Sequence, residues 1–371
     1  MLNLIKLALW NTGTAEVNWG IYENLQKHTI HAIPAPVLPG LQMDPELKCA
    51  WKRQIFQQIS CYMEYCHFQE KLPVTVPYVI LKGTAAAQYY PYPEYRVMGD
   101  IDIMTKREDF ETARQEFLAD GYTIEKELNR EIGFVKNGIT VELHRFFATQ
   151  NDLKQAKHLD DLIIENINPS HVLPDMINGL VLLEHISQHL ENGLGLRQIM
   201  DWMLFVDKCL PDEKWPEFQK IAKETGMETL GIVTTKMCEL YLGLPKRNWC
   251  QKADENLCAE LMEYVLACGN FGNRLDDEKQ LSISRGMQIK HPIQTIKNMQ
   301  KKGKANWNKA SSPLLRPFAW LWQAIQLIRE NPKLLSGFGE ANRQDRMLDS
   351  LKIKRNKRGL TQFEDGKYVT K

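Results

Sequence analysis

The sequence predicts an α+β protein, a small mixed-sheet core flanked by an N-terminal helical segment and a larger C-terminal helical region. Apolar residues recur at spacings of three and four through 44–70 and again beyond 151, which marks helices with one buried face. Between these stretches, short runs rich in branched and aromatic residues alternate apolar with polar, as half-buried strands do. Asn137-Gly138 joins two such runs, and this dipeptide suits the positive backbone angles of a two-residue hairpin turn. With 371 residues the chain exceeds what one small core needs. The expected divisions are a helical segment at 1–74, the sheet-bearing core at 75–150, a helical region at 151–275, and a basic helix and tail at 276–371.

Residues 3–30 have helical spacing, and three prolines and a glycine punctuate 31–40. Asp44-Pro45-Glu46 opens the next helix with a capping carboxylate and a proline at the first helical position. Leu47, Trp51, Ile55, Ile59, Tyr62 and Cys66 then lie on one face of 44–70. Pro73 and Pro77 close that region. Tyr78–Leu81 is a short strand-like run ending at Lys82-Gly83-Thr84, and Thr84–Tyr90 places helix formers behind a threonine cap. In Met98–Met104, Ile101 and Ile103 alternate with Asp100 and Asp102. A helix is expected over 107–119, closed by Asp120-Gly121, with strands at 122–127, 131–136 and 139–146. From 151 onward the pattern is helical: 175–208 broken near Gly193 and Gly195, then 215–225, 228–242, 254–268 and 314–330.

The 47 basic and 46 acidic residues leave a net charge of +1. That neutrality is a cancellation: residues 281–371 hold 19 basic and 6 acidic side chains, and the first 280 hold 28 and 40. The basic end includes Lys352, Lys354, Arg355, Lys357 and Arg358, a run that is either a solvated tail or a surface for a polyanionic partner. Eight cysteines without a CxxC pair argue against zinc-ribbon or thioredoxin-like chemistry. The opening apolar stretch lacks a basic leader, and Pro313–Ile328 is interrupted by Arg316 and Pro317. Neither reaches the ~20 apolar residues of a membrane span, so a cytoplasmic protein with no integral membrane segment is expected.

The chemistry concentrates in YVILKGTAAAQYYPYPEYRVMGDIDIM and ITVELHRFF. Residues two apart on a strand share a face, so Asp100 and Asp102 project together. Adjacent carboxylates set between isoleucines repel each other unless a cation sits between them, and an oxygen-preferring divalent ion such as Mg²⁺ resolves the conflict. Thr140, Glu142 and His144 share a face of the last strand, making Glu142 the natural third carboxylate. Three such carboxylates suit two-metal phosphoryl transfer. Gly83 and Thr84 offer backbone N–H groups and a hydroxyl to phosphate oxygens, and Lys82 and Arg96 are cations near enough in sequence to join them.

The strand, Gly-Thr turn, helix, Asp-x-Asp and later Glu resemble the DNA polymerase β-like nucleotidyltransferase superfamily. More narrowly, LKG, the Arg with Asp-hydrophobic-Asp, and VELH resemble an uncharacterised nucleotidyltransferase family within it. The specific motifs lie within 78–146, and LLEHISQHL and LRQIMDWMLF extend a weaker similarity to about 210. Thr84 replaces the usual Ser or Gly and keeps a hydroxyl. The resemblance implies transfer of a nucleoside monophosphate from an NTP, with ATP among the candidate donors, to a hydroxyl-bearing acceptor. Asp100, Asp102 and Glu142 would hold two Mg²⁺ ions, or Mn²⁺, with Glu142 also assisting deprotonation of the acceptor. Lys82, Gly83, Thr84 and Arg96 would hold the triphosphate.

Blander readings stand beside these. Isolated Asp-x-Asp pairs occur in solvated loops, and Lys82 and Arg96 also suit local salt bridges. His144 suits a structural role at a strand end, or orientation of a ligand beside Glu142. His185 and His189, four apart, have chelating spacing but suit helix packing better, as do Trp307, Trp320 and Trp322. Arg197 and Asp201 can pair along one helix. Two rival functions remain: a metal-dependent glycosyltransferase that uses Asp-x-Asp, and a non-catalytic or antitoxin-like interaction module on the same fold.

Overall fold

A computed structural model describes residues 1–149 and 152–269, then 299–300, 304, 307, 312, 315–330, 346–353, 361–364 and 367–370. The chain forms two compact units, Met1–Gly272 with Leu351–Lys371, and Asn273–Ser350. Lys354, Arg355, Lys357 and Arg358 of the basic run lie outside the described residues, as does most of 276–310.

In the first unit, α1 (Leu2–Trp10) stops where Asn11 turns left-handed at φ 53°. α2 (Trp19–Lys27) restarts behind Asn18, whose side chain accepts a hydrogen bond from the Ile21 N–H. The single helix expected over 3–30 is therefore two. Asn11 and Gly13 both take positive φ, and Asn and Gly tolerate that conformation best. α3 (Pro45–Gln69) follows expectation, with the Asp44 carboxylate capping the Glu46 and Leu47 N–H groups and Leu47, Trp51 and Ile55 buried.

The core sheet is built from β1 (Tyr78–Ile80), β2 (Ile101–Thr105), β3 (Thr123–Glu127), β4 (Glu131–Lys136) and β5 (Ile139–His144), in the order β1-β2-β5-β4-β3. Between β1 and β2 comes α4 (Thr84–Ala87), and between β2 and β3 comes α5 (Phe110–Ala119). β2 and β5 run parallel; the other pairs are antiparallel. The mixed sheet flanked by helices is the α+β architecture expected. Asn137 at φ 54° and Gly138 at φ 78° make the β4–β5 turn. Alternation divides the sheet's faces. Ile101, Ile103, Ile132, Phe134, Val141 and Leu143 join Phe110, Ala113 and Phe117 in one apolar core, and Asp102 of β2 with Thr140, Glu142 and His144 of β5 present polar side chains on the other face.

The helices that follow are α6 (Leu153–Glu165), α7 (Asp175–Asn192), α8 (Leu196–Cys209), α9 (Trp215–Glu224), α10 (Glu228–Leu242) and α11 (Glu255–Cys268). The α7–α8 break falls at the glycines singled out above, with Gly193 at φ 110°. Every residue from Leu196 to Val206 is buried, so α8 is a central helix. Asp160 of α6 accepts from the Phe147 and Ala148 N–H groups at 2.8 and 2.9 Å, anchoring the segment that leaves β5. Asn178 of α7 reaches the Ala85 carbonyl and the Tyr89 hydroxyl. A hairpin of β6 (Thr361–Glu364) and β7 (Lys367–Thr370), which the sequence pattern did not suggest, ends the described chain.

Asn273–Ser350 contains α12 (Ala319–Glu330), in which Trp322 stacks on Trp307 with ring centres 5.9 Å apart. Among the described residues no helix is long and apolar enough to cross a membrane.

Gly179 of α7 is a point of close helix packing. A Cβ built there would stand 2.6 Å from Phe205 Cε1 and 3.0 Å from Phe218 Cε2. Alanine is favoured over glycine inside a helix by about 1 kcal/mol, yet overpacking a filled core costs about 1–3 kcal/mol. Gly179→Ala is expected to destabilise the protein by up to roughly 2 kcal/mol, read as a lower urea midpoint.

Candidate functional site

Parallel pairing of β2 with β5 sets Asp102 directly beside Glu142. His144 lies two residues along the same face, and Gly133 of β4 lies opposite Glu142, with Glu131 opposite His144. The Asp102 and His144 side chains are essentially fully buried, and Glu142 is 17% exposed. Asp102 Oδ1 receives two partners, Lys82 Nζ at 2.7 Å and His144 Nε2 at 2.8 Å. Its other oxygen, Oδ2, is buried and has no hydrogen-bond partner. One atom each from Asp102, Glu142 and His144 lie within 4.8 Å of one another, a group able to hold a metal ion. Behind His144, the wholly buried Glu131 stands 3.6 Å from Nδ1 and is charge-balanced by Lys126 at 2.6 Å and Arg130 at 2.7 Å.

Two adjacent carboxylates, on neighbouring strands, have opposite electrostatic fates. Burial works against ionisation of Asp102, but the Lys82 ammonium and His144 override it and hold the carboxyl well below its usual range. Glu142 has only more distant partners, His144 Nε2 at 3.7 Å and Lys126 Nζ at 3.9 Å, and burial, then the Asp102 and Asp100 charges, push it up to about 8. Asp100 is also raised, chiefly by Asp102 and then by burial. Burial opposes the Lys82 charge as well, yet Asp102, Asp100 and Glu142 outweigh it and raise its pKa. A carboxyl that keeps its proton near neutrality is short of positive charge. That deficit and the unpartnered Asp102 Oδ2 fit a cation site.

β2 begins at Ile101, so Asp100 precedes the strand and faces a pocket of about 30 Å³ lined by Lys82, Gly83, Arg96, Gly99, His185, His189 and Arg197. This pocket is rich in cationic and imidazole groups. Arg197 of α8 donates from Nη1 to the Val97 carbonyl at 3.1 Å, and at Gly99 a Cβ would approach that Nη1 to 3.7 Å. His185 and His189 of α7 face each other with Nε2 atoms 3.1 Å apart. Burial, then the Lys82 charge, hold His189 down to about 4 and His185 well below its normal value. Both imidazoles are therefore neutral donors or acceptors near pH 7.

The remaining sequence candidates are distributed around this centre. Gly83 takes φ 57°, and a Cβ there would meet Met98 Cε at 3.0 Å, so only glycine suits the turn. The Thr84 hydroxyl donates to Gln69 Oε1 at 2.6 Å, and Thr84 does not line the pocket with Lys82 and Gly83. Arg96 lines the pocket but makes a two-pronged buried pair with Asp201, at 2.8 and 2.7 Å, and Tyr90 donates to the same carboxylate at 2.7 Å. The groups the sequence left in the background are His144, whose same-face spacing with Glu142 was the available signal, and Glu131, Lys126 and Arg130, which no local pattern marks.

A profile of the uncharacterised nucleotidyltransferase family matches residues 14–243, more than half of the chain. The chain belongs to that family. No curated protein matches the chain, and no solved structure does.

Two outcomes are expected. Asp201→Asn leaves the buried Arg96 guanidinium short of its counter-charge, and breaking such a pair costs about 3–5 kcal/mol. Urea denaturation should show that loss, with a smaller deficit when Arg96→Met removes the stranded charge as well. The second outcome concerns pH. Glu142 titrates near 8 in the fold against a reference of 4.5, so its retained proton stabilises the metal-free fold fully below about pH 4.5. That contribution fades as pH rises through 8, by at most about 1.4 kcal/mol per pH unit. Melting curves in chelator from pH 5 to 9 should fall more steeply for wild type than for Glu142→Gln.

Proposed function

We propose, taking membership of the nucleotidyltransferase family as the premise, that the chain transfers a nucleoside monophosphate from an NTP to a hydroxyl-bearing acceptor and releases pyrophosphate. The observation that carries this reading is the pair of carboxylates on parallel neighbouring strands, with a buried oxygen unpartnered, beside a pocket of basic side chains. Asp102, Glu142 and His144 would hold a divalent ion, with Asp100 at the edge of the site able to reach a second. Carboxylate oxygens suit Mg²⁺, and an imidazole nitrogen admits Mn²⁺. Such an ion, when bound, supplies charge stabilisation for the phosphoryl oxygens and the departing pyrophosphate.

The protein's own groups do the rest. Lys82 and Arg197 attract the triphosphate, and neutral His185 and His189 offer it hydrogen bonds without a further desolvated charge. Gly83 turns the chain so that Lys82 reaches the pocket. Arg96, locked to Asp201, holds the loop ahead of β2 against α8 and so positions Arg197. Glu142, which would be ionised once a divalent cation stands beside it, would then be placed to accept the acceptor's hydroxyl proton. Eight free cysteines support a reducing compartment, the cytoplasm.

A thermal-shift comparison of ATP, CTP, GTP and UTP with Mg²⁺ tests the proposal and identifies the donor. One NTP should raise the melting temperature of wild type by several degrees, as tight binding to the native state does. Asp102→Asn should lose that metal-dependent shift and roughly a hundredfold to a thousandfold in turnover, as removal of a key charge stabiliser does. An unchanged shift and turnover in Asp102→Asn would sink the assignment.

A further inference from the structure

A second, larger cleft of about 390 Å³ begins at Thr84, the residue after Gly83, and shares no lining residue with the basic pocket. That volume lies within the range of small-molecule sites, about 300–1,000 Å³. It is bounded by the end of α3, the edge strand β1, α4 and the loop ahead of α7. The loop closes the open edge of β1: the Ile80 N–H donates to the His171 carbonyl at 3.0 Å, and His171 Nδ1 meets the Tyr78 carbonyl at 2.9 Å. A carbonyl only accepts, so Nδ1 carries the hydrogen and Nε2 is left as an acceptor. The His171 ring stacks on Tyr78 with centres 3.8 Å apart, and the residue adopts φ 58°, a conformation that non-glycine residues rarely take.

The polar lining selects a ligand class. Gln69 uses Oε1 to accept from Thr84, which leaves its amide hydrogens as donors. Gln88 spends one amide hydrogen on the Ala85 carbonyl and keeps Oε1. Ser170 donates to Asn168, so its oxygen remains an acceptor. Tyr78 is buried to 94% and lines the cleft. Glu70 is the single carboxylate lining the cleft, and neither lysine nor arginine lines it. The stacked rings with Ile80 and Val172 form an apolar wall.

We propose that this cleft binds a hydroxylated ring bearing an ammonium group, the chemistry of an amino sugar. Ring C–H groups would lie on the apolar wall, hydroxyls would pair with the amides, Ser170, His171 Nε2 and the Tyr78 hydroxyl, and Glu70 would take the ammonium. Phosphate is excluded here, because the one full charge is negative; the basic pocket on the other side of Gly83 has the opposite preference. The site goes beyond the nucleotidyl-transfer reading and does not depend on it.

The test is calorimetric titration of the full chain with D-glucosamine, without nucleotide or added metal. Saturable binding in the millimolar range or tighter is expected. Glu70→Gln should weaken it roughly tenfold, as loss of a charge-assisted hydrogen bond does, and Gln88→Leu should weaken it further. N-acetylglucosamine, which lacks the ammonium, should bind more weakly than glucosamine and be indifferent to Glu70→Gln. Glu70 and Gln88 are both exposed, and an unchanged melting temperature in each variant would show that the fold is intact. No saturable binding of glucosamine, or binding that neither substitution weakens, would overturn the proposal.

Discussion

A carboxylate sealed from water must be given positive charge, and Asp102 is that carboxylate. It sits mid-strand in β2 with isoleucines on either side, so its neighbours in sequence contribute only apolar surface. The compensating groups arrive from two other places in the chain. Lys82 comes from the turn after β1 and His144 from the end of β5, and both meet the same oxygen. Satisfying one buried charge therefore fixes the β1–α4 turn, the β2–β5 register and the terminal residue of β5 together. Slipping β5 by one residue would turn Glu142 and His144 into the apolar core and bring Val141 and Leu143 to the polar face. The site and the sheet register are a single constraint.

Charge is then distributed by layer. The polar face of the sheet carries Asp102, Glu142 and Glu131, and α7 and α8 carry His185, His189 and Arg197 toward Asp100. Left uncompensated, either set would repel itself in a poorly solvated space. The protein meets this by pairing some groups and neutralising others. Asp201 takes Arg96, Lys126 and Arg130 take Glu131, and the α7 imidazoles and Glu142 shed charge instead. What remains unbalanced is a proton-retaining carboxyl on one side and basic groups on the other, separated by the width of a small pocket. On the proposed reading, a polyanion chelated to a divalent cation would match both deficits at once, which no single monovalent ion would.

Local pattern carried much of the fold into view. Short strand-like runs, with period-two alternation in β2, located all five strands of the main sheet within a few residues, Asn137-Gly138 announced its hairpin, and Asp44-Pro45 started α3 where the structure starts it. These features are governed by contacts within a turn or two of the residue itself, which is why they are legible. The α1–α2 break has a local signal: across 11–18 apolar residues thin out to Ala15 and Val17, and Asn11 and Gly13 interrupt the backbone. In the site, Asp102 beside Glu142 followed from strand pairing. Three pairings did not: Arg96 with Asp201, 105 positions apart; Thr84 with Gln69, on a helix from the preceding segment; and His144 with Asp102, 42 apart. Each depends on how helices and sheet pack, and nothing in a one-dimensional spacing reports it. Asp100 shows a finer limit, since alternation placed it on the strand and the strand begins one residue later.

The two cations expected to hold phosphate also show why residue type matters at a site like this. Arg96 is planar and forked, and Asp201 engages it at two points in a fully buried pair. To release such a guanidinium toward a ligand would break both hydrogen bonds and strand a buried carboxylate. Lys82 is a point charge on a flexible stem, held to one oxygen of Asp102, a carboxylate that His144 also supports. Its cost of leaving is low once another cation stands beside Asp102, whose charge is what chiefly raises the lysine's proton affinity where it now stands. On the proposed reading, the lysine therefore serves two partners in turn: the carboxylate while the site lacks its ion, and a phosphate oxygen afterwards. An arginine at 82 would bind Asp102 too well to do so, and a lysine at 96 would lack the second contact that fixes the loop to α8.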